Sequence, residues 1–346
     1  MSLPSPRTPE PTDAPALRWG ILATGGIART FVTALNRHST QRVVAAASRS
    51  LERAEGFARD HGVERAYGDY AQLVADPEVD AVYVASTHNA HLELALLAIG
   101  AGKHVLVEKP AAFTAAEARR MQTAARAAGV LLMEAMWTRY LPHMDVARQL
   151  LENGDVGDVR LVQADFGVDV PFDPKNRMYD PAQAGGALLD LGVYPISFAQ
   201  FALPSLTQEL RLHVAGALAA TGTDAQVSLM LEADAASHAL LHVGVGARTP
   251  WTAAVSGTRG RLEVDPPFWA PSALTFRRDG ADPERYEGHP TITGGDGMAF
   301  EAAAFARYVA DGLTDSPLHP FDEAIAALRI IDDARRRLGY AAGLEQ

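Results

Sequence analysis

The chain has no cysteine in its 346 residues. That excludes disulfides, a thiolate nucleophile and thiolate-held metals, and it fits a reducing cytoplasmic setting. Nor is there an excess of basic residues, since 31 Lys and Arg against 42 Asp and Glu leave a formal charge of -11. Nucleic acids and anionic membrane surfaces are bound through basic patches that release counterions, so neither is expected as a partner and a small molecule is. No apolar run reaches the roughly 20 residues of a membrane span, and the N-terminus has no signal-peptide core. Eleven histidines are present, but none forms H-E-x-x-H or a comparable cluster, so no metal is expected. Hydrolysis by a Ser/His/Asp triad lacks its G-x-S-x-G turn.

What is present reads as an α/β protein of two domains, because the length exceeds what one core normally holds. Residues 1–15, rich in Pro, Ser and Thr without a hydrophobic period, read as a disordered leader. Residues 16–134 read as a Rossmann domain with a doubly wound parallel sheet. Leu17-Arg18-Trp19-Gly20-Ile21-Leu22-Ala23 has the pattern of a buried strand, and Thr24-Gly25-Gly26-Ile27-Ala28 that of a tight turn opening a helix. Small residues there let a pyrophosphate approach the backbone and the helix N-terminus. Ala23, Thr24, Gly25, Gly26 and Ile27 are therefore candidate cofactor contacts, although a plain strand-turn-helix has the same outline. The next strand ends at Ser48 and Arg49, with Arg53 a turn later and no acid to hold ribose hydroxyls. Arginine forks suit a 2′-phosphate, which points to NADP rather than NAD; two solvated arginines opening a helix are the alternative. Strand and helix continue to alternate, which implies right-handed crossovers and a ligand at the strand C-termini. Thr87, His88, Asn89 and His91 fall at that edge, as do Glu108 and Lys109 of Glu108-Lys109-Pro110.

Residues 135–346 change rhythm. Consecutive strand-like runs near 159–164, 212–216, 226–231 and 237–243, with a hairpin turning at 256–259, predict an α+β domain with a large, open, mostly antiparallel sheet. Helices should cover one face, and the other should bury itself against a second copy, giving a homodimer.

Asp190 and Tyr194 lie one turn apart in an apolar helical stretch running from 184 to about 203, and on a helix they share a face. Pro195 should bend that helix near Tyr194. A core aromatic beside a buried hydrogen-bonding acid explains the pair equally. Together with Lys109 they suggest a reaction, hydride transfer from a secondary alcohol. Tyr194 would be the acid/base, its phenol drawn down by a neighbouring ammonium, Lys109 would steady the developing alkoxide, and Asp190 would bind substrate or fix Lys109.

Taken jointly, the 20–28 turn, the 87–91 loop, Glu108-Lys109-Pro110 and Gly185-Gly186-x-x-x-Asp190-x-x-x-Tyr194 resemble the glucose–fructose oxidoreductase, inositol dehydrogenase and rhizopine-catabolism (Gfo/Idh/MocA) family over nearly the whole chain after the leader. Tyr at position 194 resembles a subgroup that includes dimeric dihydrodiol dehydrogenases, NADP-dependent xylose dehydrogenases and glucose–fructose oxidoreductase, and Arg49, Arg53 and Met133-Glu134-Ala135-Met136-Trp137-Thr138-Arg139-Tyr140 look most like the first two. The resemblance implies NADP, catalysis by Lys109, Asp190 and Tyr194, and Trp137, Arg139 and Arg177 as walls of a sugar or polyol pocket. Departures are Ala23 in place of glycine and His88 in the first cofactor loop. Three functions follow as expectations: oxidation of an aldose or polyol C–OH, led by aldose C1 to the lactone; oxidation of a cyclic trans-dihydrodiol; and a cofactor-sensing protein without turnover.

Overall fold

The computed structural model describes residues 3–208 and 210–340. They form two compact units, one of Thr8–Leu141 with Ile292–Phe321, the other of residues 3–7, 142–291 and 322–340.

The first unit is built on β1 (Arg18–Leu22), β2 (Arg42–Ala47), β3 (Arg65–Tyr67), β4 (Ala81–Val84), β5 (His104–Glu108) and β6 (Leu132–Ala135). They make one six-stranded sheet in the order β3-β2-β1-β4-β5-β6, every pair parallel. Strands buried on both faces must be apolar throughout, and Ala81-Val82-Tyr83-Val84 is wholly buried. Strand order reverses between β1 and β4, which opens the ligand crevice of a doubly wound sheet at the strand C-termini. Crossovers are supplied by α1 (Gly26–His38), α2 (Leu51–His61), α3 (Tyr70–Val74), α4 (His91–Gly100) and α5 (Ala115–Ala128). Thr114 caps α5 by accepting the Glu117 N–H, and Gly129 at φ 65 ends it in the left-handed region. Buried Trp19 meets Phe31 of α1 edge-on at 5.6 Å and Phe305 at 5.0 Å, so α8 (Met298–Ala310) belongs to this unit despite its late place in the chain.

The second unit carries α6 (Pro142–Glu152), β7 (Val159–Gly167), α7 (Val193–Ala202), β8 (Arg211–Leu218), β9 (Asp224–Glu232), β10 (His238–Gly244), β11 (Ala253–Gly257), β12 (Arg261–Val264), β13 (Leu274–Arg277), β14 (Glu284–Tyr286) and α9 (Phe321–Leu338). Its eight-stranded sheet runs β14-β13-β12-β11-β7-β10-β9-β8 and is antiparallel except where β7 and β10 pair in parallel. Along β9 burial alternates, with Val227, Leu229 and Leu231 inward, as one covered face requires. Every residue of α7 is buried, and this helix packs on β7, β10 and β11. Gln163, Ser228, Leu240, His242 and Ala254 line a shallow depression on the sheet.

Two expectations change. The segment before residue 16 is held in place from Arg7 onward: Pro11 and Ala14 are buried, the Glu10 carbonyl accepts from Arg307 at 2.7 Å, and Arg7 binds Asp145 through its backbone N–H at 2.6 Å and its guanidinium at 3.1 Å. A few polar anchors leave no hydrophobic period to read. The helix expected from 184 begins instead as a π-helical turn, Leu188–Gly192, and becomes α-helical only at Val193. Pro195 thus lies three residues beyond the π-helical turn, inside one helical run from Leu188 to Ala202. No described helix is long and apolar enough to cross a membrane. Among the described residues no cluster of three metal-ligating side chains occurs.

Candidate active site

In the first unit the expected cofactor residues gather at the C-terminal edge of the sheet. After β1 the chain turns at Ala23, whose φ of 74 is the left-handed conformation a glycine would adopt without strain. Thr24 follows, and Gly25 is the N-cap of α1, so the first-turn N–H groups of Gly26 and Ile27 face the crevice side of the helix end. A Cβ added at Gly25 or Gly26 would meet nothing within 4 Å, so the turn is open at both glycines. After β2, Ser48 is buried while Arg49 and Arg53 are exposed, and Ser50 caps α2. After β4, Thr87 donates to the Asn89 side chain at 2.7 Å, and His88 meets His91 edge-on at 5.7 Å.

Lys109 follows β5 in a turn whose backbone is held from below. The buried Glu108 carboxylate binds the Tyr83 hydroxyl and accepts the Lys109 N–H at 3.1 Å. The carbonyl of Pro110, cis to Lys109, contacts His91 Nδ1 at 2.9 Å, and the Ala111 N–H donates to Glu134 at 2.8 Å. Glu134 also binds His319 at 2.8 Å, both side chains 1% exposed. Glu108 and His91, expected to touch the cofactor, are both buried and bonded to the lysine turn. His91 Nε2 contacts the Ser86 carbonyl at 3.1 Å. A neutral imidazole donates to only one of its two carbonyls, and burial pushes the His91 pKa down. Trp137 and Arg139, expected as pocket walls, are buried, and Arg139 donates to the Leu318 carbonyl at 3.4 Å.

Beneath the turn lies Glu301 of α8, fully buried, with neither carboxylate oxygen hydrogen-bonded in the structure. Burial first, then the charges of Glu108 and Glu134, raise its pKa well above the ordinary carboxyl value. A raised folded-state pKa means that the native state keeps a proton the unfolded chain releases, so stability is full below about pH 4 and is lost as pH rises toward the folded value. Each pH unit in that window costs about 1.4 kcal/mol. Glu301→Gln should therefore raise the melting midpoint more at pH 8.5 than at pH 4.5. Equal shifts at both pH values in calorimetry would refute this.

In the second unit, Asp190 sits within the π-helical turn and Tyr194 in the first turn of α7. π-Turns recur at functional sites because they re-aim side chains within a helix. Asp190 accepts from Arg177 at 2.7 Å; the acid is 12% exposed and the arginine 52%. Arg177, expected as a pocket wall, therefore acts directly on a proposed catalytic group. Tyr194 is 8% exposed and packs its ring at 5.8 Å from Phe166 and 6.0 Å from Trp269. Phe166 stacks on Trp269 at 3.4 Å, and Trp251 meets both. Phe166, Trp251 and Trp269 carried no sequence signal beyond the inward position of Phe166 in β7, since the two tryptophans lie outside strands and helices.

A six-stranded parallel sheet in Rossmann order, joined in one chain to an eight-stranded, mostly antiparallel sheet, is the architecture of an NAD(P)-dependent oxidoreductase. Residues 17–136 match the profile of the oxidoreductase family with an NAD-binding Rossmann fold, and residues 144–263 match the GFO/IDH/MocA C-terminal domain. The chain belongs to the GFO/IDH/MocA family, and it is a dehydrogenase acting on CH–OH donors. The mouse (Mus musculus) trans-1,2-dihydrobenzene-1,2-diol dehydrogenase is 38% identical over 333 residues, 94% of this chain and 97% of its own. The solved 3-ketoreductase from Actinomadura kijaniata in complex with NADP and TDP-benzene is 28% identical, with TM-score 0.79 and 93% and 98% of the two chains covered. The aldose-aldose oxidoreductase of Caulobacter crescentus shares the fold at TM-score 0.83 and 24% identity, covering 94% and 98%.

Proposed function

We propose that the protein is an NADP-dependent dehydrogenase that oxidises a ring-borne secondary alcohol with a hydroxyl on the adjacent carbon, aldose C1 to the lactone being the first substrate class. The observation that carries this reading is the aromatic group Phe166, Trp251 and Trp269 around Tyr194, with the Arg177–Asp190 pair four residues before the phenol. Flat aromatic faces suit the C–H face of a sugar ring, and the ion pair suits its hydroxyls. A cyclic trans-dihydrodiol offers the same flat face and vicinal hydroxyls, and the name of the mouse relative favours it as the second reading.

NADP+, when bound, supplies the hydride acceptor. The chain supplies the rest. Tyr194, as its phenolate, accepts the proton of the reacting hydroxyl as the C–H bond breaks and the hydride leaves for the nicotinamide, Lys109 lowers the energy of negative charge on that oxygen, and Asp190, held by Arg177, hydrogen-bonds the substrate. Exposed Arg49 and Arg53 at the start of α2, with Ser48, support NADP over NAD. The depression on the sheet, with Leu240 40% exposed, supports a homodimer through that sheet.

One set of assays tests these readings. Pentoses, hexoses and trans-dihydrodiols are followed by nicotinamide absorbance with each cofactor, on protein whose mass is measured by light scattering. We expect turnover of at least one class, kcat/KM higher with NADP+ by roughly 10-fold or more, and twice the chain mass. Turnover of neither class would overturn the substrate reading, an NAD+ preference the cofactor reading, and a monomer the dimer.

A further inference from the structure

We propose that the buried ion pair of Asp224 and Arg335 is a positioning device for the segment carrying Asp190 and Tyr194, an inference that rests on the catalytic role proposed for those two. Asp224 opens β9 and Arg335 lies in the last turn of α9, and both side chains are 0% exposed. Arg335 Nε donates to Asp224 Oδ1 at 3.3 Å, and Asp224 Oδ2 accepts the Leu188 N–H at 2.6 Å. Leu188 is the first residue of the π-helical turn. The other arm of the guanidinium, Nη2, donates to the Gly185 carbonyl at 3.1 Å, and its plane lies 3.8 Å over the ring of Tyr340.

The double glycine of the sequence pattern is explained by the same contacts. Gly186 has a φ of 127, and a Cβ there would come within 2.3 Å of Asp224 Oδ1; one on Gly185 would come within 2.5 Å of the Arg177 carbonyl. The backbone is thus drawn against the ion pair on one side and against the Arg177 loop on the other. A buried ion pair contributes little net stability compared with apolar residues of similar volume. What this pair does contribute is direction. Its charged atoms hold the backbone at Gly185 and Leu188, from which the chain passes to Asp190 and, one turn on, to Tyr194. Angular error at the head of a helical segment is carried to every side chain on it, and displacements near 1 Å can cost about 100-fold in rate.

Arg335→Lys keeps the charge but loses the fork that serves Asp224 and Gly185 together. It is compared with Leu328→Ala, a cavity on the same helix at a fully buried residue, and with Tyr194→Phe, all assayed below the melting transition of each variant with the best substrate of the panel. We expect Arg335→Lys to lower kcat about 10- to 100-fold while the NADPH dissociation constant stays within about 2-fold, and Leu328→Ala to keep kcat. Should Arg335→Lys fail to fold, Asp224→Asn, which keeps the acceptor for Leu188, is read in the same way. A loss in the clamp variant no greater than that of Leu328→Ala, with Tyr194→Phe inactive, overturns the positioning role alone. An active Tyr194→Phe overturns the catalytic reading and this inference with it.

Discussion

Tyr194→Phe should lower kcat by about 100- to 10,000-fold, the range for loss of a positioned acid/base, with the NADPH dissociation constant essentially unchanged. The substitution removes one oxygen and keeps the ring. The packing of that ring on Phe166 and Trp269 at 5.8 and 6.0 Å is aromatic and persists in phenylalanine. The pair of Arg177 with Asp190 at 2.7 Å does not involve the hydroxyl either. A fall in turnover with an unchanged melting midpoint therefore reports on proton transfer rather than on folding. The measurement is steady-state kinetics across pH beside a cofactor titration by fluorescence. Loss of the limb of the kcat/KM profile that reports the essential base should accompany the fall in rate. Near-normal turnover would remove Tyr194 from the chemistry.

The parts of this fold that were legible in the sequence are those whose physics is local. Parallel strands buried on both faces have to be continuous apolar runs, so the strands around Ile21, Val44, Val82 and Leu106 were visible, as were the helix stops at Gly102 and Gly129. The edge strands Arg65–Tyr67 and Glu284–Tyr286, each 3 residues long and half exposed, alternate too briefly to register. Spacing brought Asp190 and Tyr194 to attention but could not distinguish an α-turn from a π-turn, because the difference lies in which carbonyl each N–H selects. Distant side-chain pairings left no trace at all. Glu134 finds His319 across 185 residues and Asp224 finds Arg335 across 111. Each of those residues, read alone, is an ordinary charged side chain of a surface. Only the fold reveals that they are buried, and so that each needs its partner.

Lys109→Met should lower kcat about 100- to 1,000-fold, the size of effect seen when a preorganised group facing developing charge is removed. Methionine keeps most of the side-chain length, and the turn beneath is held by backbone bonds to Glu108 and Glu134 that do not use the ammonium, so a loss of rate at an unchanged melting midpoint is that of a charge and not of a loop. The decisive arm is the double variant Lys109→Met/Tyr194→Phe. Groups that act on one reacting oxygen in one step are strongly non-additive, because once either is absent the other has little transition state left to stabilise. The double variant should accordingly be no more than about 3-fold slower than the slower single variant. Rate losses that multiply in full would mean that the ammonium and the phenol serve separate steps, and the proposed division of labour on a single carbinol would have to be abandoned.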